Sequence, residues 1–198
     1  EKNAHQTLMT DLTTGMHADG RLTCMAVGGE TVTALSSPNH LNYCNVATLG
    51  VVDYVNVMTY DFPVAYGADH SNVAASQTSV TNWKNYSGLS SYSKFLIGIP
   101  FYGRPNPRAG NSTQDYNLES AYTTAYASGL ASGFYYNSKT MMEQKVDWIM
   151  TQGGSGVLIW DLGLDRASLY TFQDAICARM DTACPAPQPA LGSDFGIC

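Results

Sequence analysis

Tyr60 and Asp61 stand side by side at the end of an apolar run, "VDYVNVMTYDF", residues 52–62. A phenol can donate one hydrogen bond, and an ionised carboxylate can only accept. Buried strands rarely end on a carboxylate that touches nothing, because an unpaired buried charge is costly. Three further apolar runs end on groups of similar character. "RLTCMAVGG" (21–29) closes on Gly28 and Gly29, "KFLIGIPFYGR" (94–104) on Tyr102 and Arg104, and "GVLIWDLGLD" (156–165) carries Trp160 and Asp161. A guanidinium adds five donors, and an indole adds a flat apolar face. These groups make a binding site if the fold collects the four run ends in one place.

The runs read as strands. Three of the four are near-continuous in apolar residues rather than alternating, the pattern of strands covered on both faces in a parallel sheet. Helical segments separate them. Ala4, Leu8, Leu12 and Met16 recur every fourth residue, which predicts an amphipathic helix over 3–16. Further helices are expected over 38–49 (stopped at Gly50), 72–83, 140–153 and 166–180. Alternating strand and helix means an α/β fold. A doubly wound sheet collects ligands at its strand ends beside a glycine-rich phosphate loop, and no such loop occurs here. A (β/α)8 TIM barrel, whose site gathers at the carboxyl ends of its strands, fits better.

Composition sets wider bounds. The chain has 198 residues, 44% hydrophobic and 13% charged, with 18 Gly and 13 Tyr. That is enough for one sizeable core. The formal net charge of −6 and the lack of a basic run argue against nucleic acid as a partner. No apolar run is long enough to span a bilayer, so no membrane partner is expected. The opening "EKNAHQTLMTDL" reads as a processed product or an internal fragment. Cys24, Cys44, Cys177, Cys184 and Cys198 show no zinc-ligand spacing. They fit either disulfides in an export compartment or buried thiols. Sequons at Asn85 and Asn111 serve as weak surface markers. Residues 1–180 read as one unit, and residues 181–198 as a Pro- and Cys-containing tail or linker.

Taken together, the four segments resemble the glycoside hydrolase family 18 chitinases. "LTCMAVGG" looks like that family's fifth barrel strand, and "VDYVNVMTYD" is similar to the sixth, whose Met-x-Tyr-Asp ending appears as Met58, Thr59, Tyr60 and Asp61. "LIGIPFYGR" looks like the seventh, and "GFYYNSKTMMEQKVDWIMTQGGSGVLIWDLGLD" like the helix and strand of the eighth unit. The order is kept from near residue 3 to about residue 178. The family's acid lies in an Asp-x-x-Asp-x-Asp-x-Glu signature on the fourth strand, and that signature is absent from these residues. The resemblance therefore implies the C-terminal half of a barrel. A whole barrel needs about 250 residues.

The resemblance implies substrate-assisted, retaining hydrolysis of β-1,4-linked N-acetylglucosamine polymers, with no metal and no cofactor. Tyr60 and Asp61 would be the catalytic pair, Tyr60 donating to the substrate acetamide and Asp61 accepting from the sugar. Met58 would lie under the acetyl methyl, Trp160 would form the floor, and Tyr102 and Arg104 would line the cleft. Chitin or a chito-oligosaccharide would be the ligand. The acid Glu would come from the N-terminal half of the barrel, on a cleaved piece, a separately encoded chain or residues outside this sequence. This chain alone is expected to be inactive, and the protein to be secreted or extracellular. The short span from Arg104 to Val157 implies that the α+β insertion of some family members is missing or much reduced.

Other readings stay open. Met58 can be core filler, Trp160 a barrel plug, Tyr60 and Asp61 caps, and Tyr102 with Arg104 a structural pair. Asp165 is expected to cap the last helix. His70, in the polar loop "YGADHSNVAA", reads as solvated. Tyr116, Tyr122, Tyr126, Tyr135 and Tyr136 read mostly as packing. A non-catalytic, lectin-like carbohydrate-binding protein is the alternative function. A structural half-barrel paired with a second copy ranks below it, since open strand edges leave backbone groups unpaired.

Overall fold

The first helix, α1 (Lys2–Ala18), forms where the fourfold repeat predicts, and Gly20 at φ 70° turns the chain out of it. The face it buries is a different one. Met9 and Thr13 are buried, while Leu8 and Leu12 are 62% and 47% exposed. Polar pairs set this rotation: the Thr13 hydroxyl lies 2.9 Å from that of Thr23, and His17 Nε2 lies 2.9 Å from Asp53 Oδ2. The computed structural model describes residues 2–29, 45–105, 112–167 and 170–180.

Strand β1 (Cys24–Gly28) follows. Most of the helix expected over 38–49 lies outside the described residues. The described part is α2 (Val46–Val51), capped by Asn45, and it passes through Gly50 instead of stopping there. Strand β2 (Tyr54–Met58) leads through a loop to α3 (Val73–Ser87), which Asn72 caps by accepting from Ala75 N at 2.8 Å. Strand β3 (Phe95–Pro100) is shorter than the run that announced it. After Pro100 the chain changes sheet, and Tyr102 and Arg104 lie on a separate strand, β4 (Tyr102–Pro105). It pairs antiparallel with β5 (Gln114–Asp115) and, beyond α4 (Tyr122–Ser128) and β6 (Leu130–Ala131), with β7 (Phe134–Tyr135). A small antiparallel sheet, order β5-β4-β7-β6, is thus present between Arg104 and Val157. Then come α5 (Lys139–Thr151), β8 (Gly156–Trp160) and α6 (Phe172–Met180).

The main sheet is parallel with order β1-β2-β3-β8, so its strands keep chain order without reversal. Gly28 pairs with Met58 and Pro100 with Trp160, which places the run ends together at the carboxyl edge. One face is packed. Val55, Val57, Phe95 and Ile97 are fully buried with Leu49, Val80, Trp83 and Ile149 of the helices. A second cluster joins Ile99 and Phe101 to Tyr116, Tyr136, Met142 and Phe172, with the Tyr116 and Phe172 rings stacked at 3.6 Å.

The opposite face is not packed. Tyr54, Asn56, Leu96 and Leu158 line an open cavity of about 270 Å³ there. The near-continuous apolar runs had suggested cover on both faces. Among the described residues only one is covered. No helix of the described residues is long and apolar enough to cross a membrane. Cys177 is disulfide-bonded. The tail over 181–198 lies outside the described residues.

Candidate functional site

At the carboxyl edge Asp61 is the hub. Its Oδ1 accepts from Arg104 Nε at 2.7 Å and lies 3.3 Å from His70 Nδ1. The Asp61 amide nitrogen also lies 3.3 Å from that Nδ1, which accepts from the amide when it carries a lone pair and donates to the carboxylate when it carries a hydrogen. Asp61 has φ 60°, in the left-handed region that a non-glycine residue enters at some cost, Asp and Asn least so. That turn directs the carboxylate back toward β4. Burial acts to raise the Asp61 pKa, but the hydrogen bonds and charges of His70 and Arg104 outweigh it and hold the carboxyl well below the usual range. The group is therefore ionised at any physiological pH.

Tyr60 is placed by its neighbours in the sheet. A Cβ on Gly98 would come within 2.7 Å of Val57 O and Thr59 N and 3.0 Å of the Tyr60 ring, so glycine there lets the strands close under that ring. The Tyr60 hydroxyl is buried and has no hydrogen-bond partner among the described residues. Burial, then the Asp61 charge, push its pKa up to about 12, so it remains a proton donor. Tyr102 is buried with its ring edge-on to Tyr60, centroids 6.2 Å apart, and 5.2 Å from the His70 ring. Burial, followed by the charge of Asp61, raises its pKa as well. Arg104 also donates to Ser112 O at 3.3 Å and lies over the Tyr102 ring.

The sequence expectations meet this geometry unevenly. Tyr60, Asp61, Tyr102 and Arg104 come together. Arg104 pairs with Asp61, across the two sheets. Met58 ends β2 partly buried, and Trp160 ends β8 with 55% of its surface exposed. Asp165 is a cap: its carboxylate accepts from Phe172 N at 3.0 Å and Gln173 N at 2.8 Å. Tyr116 and Tyr136 are buried packing residues.

His70 overturns its reading as a solvated loop residue: it is fully buried. The loop folds back because Ser71 N donates to Asp69 Oδ1 and Phe62 N donates to His70 O. Asp69 and Asn72, both good turn and cap formers around His70, were the available signal. Behind the loop lies Lys145 of α5, also fully buried, which the sequence reading passed over. Among the described residues no three His, Cys, Asp or Glu side chains cluster to hold a metal ion.

Chain-ordered parallel strands with helices on one face and a site at their carboxyl ends define part of a (β/α)8 barrel. Residues 1–165 match the family described as glycosyl hydrolases family 18, and the chain belongs to that family. Endochitinase 1 of Metarhizium robertsii is 25% identical over 175 residues, and Chitinase 1 of Aphanocladium album 23%. Each match covers 68% of this chain and 41% of the relative, so the chain spans well under half the length of either. Among solved structures, the GH18 chitinase ChiB from the chitin utilization locus of Flavobacterium johnsoniae superposes with TM-score 0.70 at 20% identity. That superposition covers 86% of this chain and 53% of that one. A class V chitinase from Nicotiana tobaccum in complex with NAG4 superposes with TM-score 0.59 at 19% identity, covering 83% and 60%.

Proposed function

We propose that this chain is the acetamide-binding half of a chitinase that hydrolyses β-1,4-linked N-acetylglucosamine polymers with retention. The observation that carries the reading is the Tyr60 hydroxyl, buried beside the Asp61 carboxylate with no partner among the described residues. A buried donor left unpaired costs about 1–3 kcal/mol, and a ligand carbonyl would recover it. In substrate-assisted hydrolysis the sugar's own N-acetyl oxygen attacks C1, and positive charge grows on the acetamide. Tyr60 donates to that oxygen and Asp61, already ionised, stabilises the developing charge. Family 18 stands outside the usual two-carboxylate scheme for this reason. Met58 lies beneath the acetyl methyl, exposed Trp160 supplies the floor, and Tyr102 and Arg104 wall the cleft.

The general acid comes from a partner, the N-terminal half of the same barrel. Two surfaces support a partner here: the open sheet face around Leu96 and Leu158, and the exposed Leu8 and Leu12 of α1. The Cys177 disulfide supports an exported protein.

The test is to assay the chain alone and joined to a polypeptide carrying the Asp-x-x-Asp-x-Asp-x-Glu strand. The chain alone should release no reducing sugar. The joined protein should cleave chito-oligosaccharides and give the β-anomer first by NMR. Cleavage by the chain alone, or failure of the joined protein to bind the sugar, overturns the reading. Binding by the joined protein without cleavage selects the lectin-like alternative instead.

A further inference from the structure

We propose that Lys145 is a positioning residue for Asp61: through Ser71 and Asn137 it fixes the turn at 69–71 and so holds the His70 ring against Asp61. The inference rests on the reading of Asp61 as a substrate-facing group. Lys145 rises from α5 into the space behind β3, fully buried. Its Nζ donates to Ser71 Oγ at 2.6 Å, Asn137 Oδ1 at 2.8 Å and Gly98 O at 3.4 Å. Three oxygens are a full set for an ammonium. Ser71 Oγ passes its own hydrogen to Thr59 O at 2.6 Å, and Asn137 Nδ2 donates to Ser71 O at 3.2 Å. Ser71, at the end of the turn, is thus tied through its hydroxyl to Thr59 O, on the backbone that leads into Tyr60 and Asp61, and through its carbonyl to Asn137. A buried lysine is an expensive way to tie a loop, since apolar packing would cost less. Its place directly behind the hub gives that cost a purpose.

The effect on His70 is both geometric and electrostatic. Nδ1 stands 3.3 Å from the Asp61 amide nitrogen and 3.3 Å from its Oδ1. A neutral ring can accept from the amide, whereas a protonated ring must donate to the carboxylate. The groups that face the ring are the Asp61 and Asp69 carboxylates, the Tyr102 phenol and the Lys145 amine, whose pKa burial lowers to about 7, so that it carries its charge below that pH, where His70 titrates. Burial lowers the His70 pKa most, the two carboxylates oppose it, and Lys145 adds to the lowering. The lysine thereby favours the neutral ring, leaving Arg104 as the strong cationic partner of Asp61.

The experiment uses the full chain with ¹⁵N-labelled histidine; a His70→Gln variant identifies the His70 signals among the four histidines. Ring spectra are recorded between about pH 5 and 8, the span in which histidine titrates, for the parent, Lys145→Met and Ser71→Ala. In the parent, His70 should hold one neutral tautomer above its midpoint, and that midpoint should lie below the ordinary histidine value. In both variants the tautomers should mix, and in Lys145→Met the midpoint should also rise, since the lysine's share of the lowering is removed. Unchanged tautomer and midpoint in folded variants overturn the proposal. If Lys145→Met does not fold, Ser71→Ala decides alone, since it removes only a hydroxyl. In the joined barrel, Ser71→Ala should lower kcat by about tenfold to a hundredfold with KM nearly unchanged, as a displaced catalytic group does. A purely structural lysine would lower the melting temperature and leave kcat per folded molecule intact. If the parent barrel cleaves nothing, the chitinase reading fails, while the histidine spectra still decide the positioning role.

Discussion

Leu96 and Ile97 are adjacent in β3 and point to opposite sides of one sheet. Ile97 is fully buried among helices, while Leu96 lines the open cavity. The same contrast runs through β2, where Val55 and Val57 are buried and Tyr54 and Asn56 are not. A parallel strand usually has both faces covered. Here the covered face holds the fold of this chain, and the open face is left uncovered by the described residues. The functional groups sit at the rim where the two faces meet, so their placement draws on the packed side and their use on the open one.

The largest effect expected follows from this. Ile97→Ala should destabilise the chain by about 2–5 kcal/mol, the range for an emptied core site. Leu96→Ala, one residue away, should cost less than about 1 kcal/mol. Urea unfolding of the two variants measures both. In the joined barrel the Leu96 cost should rise toward that of Ile97. Equal costs in the isolated chain would mean that the open face is already packed, and the contrast would collapse.

A smaller effect tests the rim itself. Asp61 is held ionised by His70 and Arg104. Its folded pKa lies below its ordinary value of 3.8, so its contribution to stability is complete above that value and fades as pH falls through the folded pKa. The carboxylate is partly open to solvent, so screening reduces the size of the effect. The melting temperature of the parent should exceed that of Asp61→Asn by a constant margin from about pH 5 to 7, and the margin should shrink below about pH 4. A margin that stays flat to the lowest pH at which both fold would show that the ion pairs carry no stability.

How far all this was legible in the sequence depends on the range of the cause. The parallel strands were readable because Val55, Val57, Ile97 and Ile99 are local apolar patterns, and the site residues because they end those runs. The face of α1 was not. The fourfold stripe through Leu8 and Leu12 was correct as a helix signal, but its rotation is fixed by Thr23 and Asp53, outside the helix. The change of sheet after Pro100 was hidden because "FYGR" continues the apolar run, and its partners lie ten to thirty residues further on. His70 was misread for the same reason. Tyr102, whose ring lies against His70, and Lys145, which bonds the next residue, stand far along the chain, and no periodicity links them to the loop.

The smallest expected change in stability distinguishes two roles for Trp160. It closes β8 in register with Pro100, yet 55% of its surface is exposed. If it is the floor of a sugar site, Trp160→Ala should alter the stability of the isolated chain by no more than about 0.5 kcal/mol. In the joined barrel, the affinity for chito-oligosaccharide should fall by about tenfold or more, since an aromatic anchor carries a large share of binding energy. If it is a plug of the completed barrel, the order reverses. The joined protein would lose about 3–5 kcal/mol of stability, the cost of emptying a buried tryptophan site. Chemical denaturation and calorimetric titration on the same variant separate the two, because a ring that faces solvent in one assembly cannot fill the core of that assembly. The exposure of Trp160 at the end of β8, at the carboxyl edge of the sheet, favours the floor.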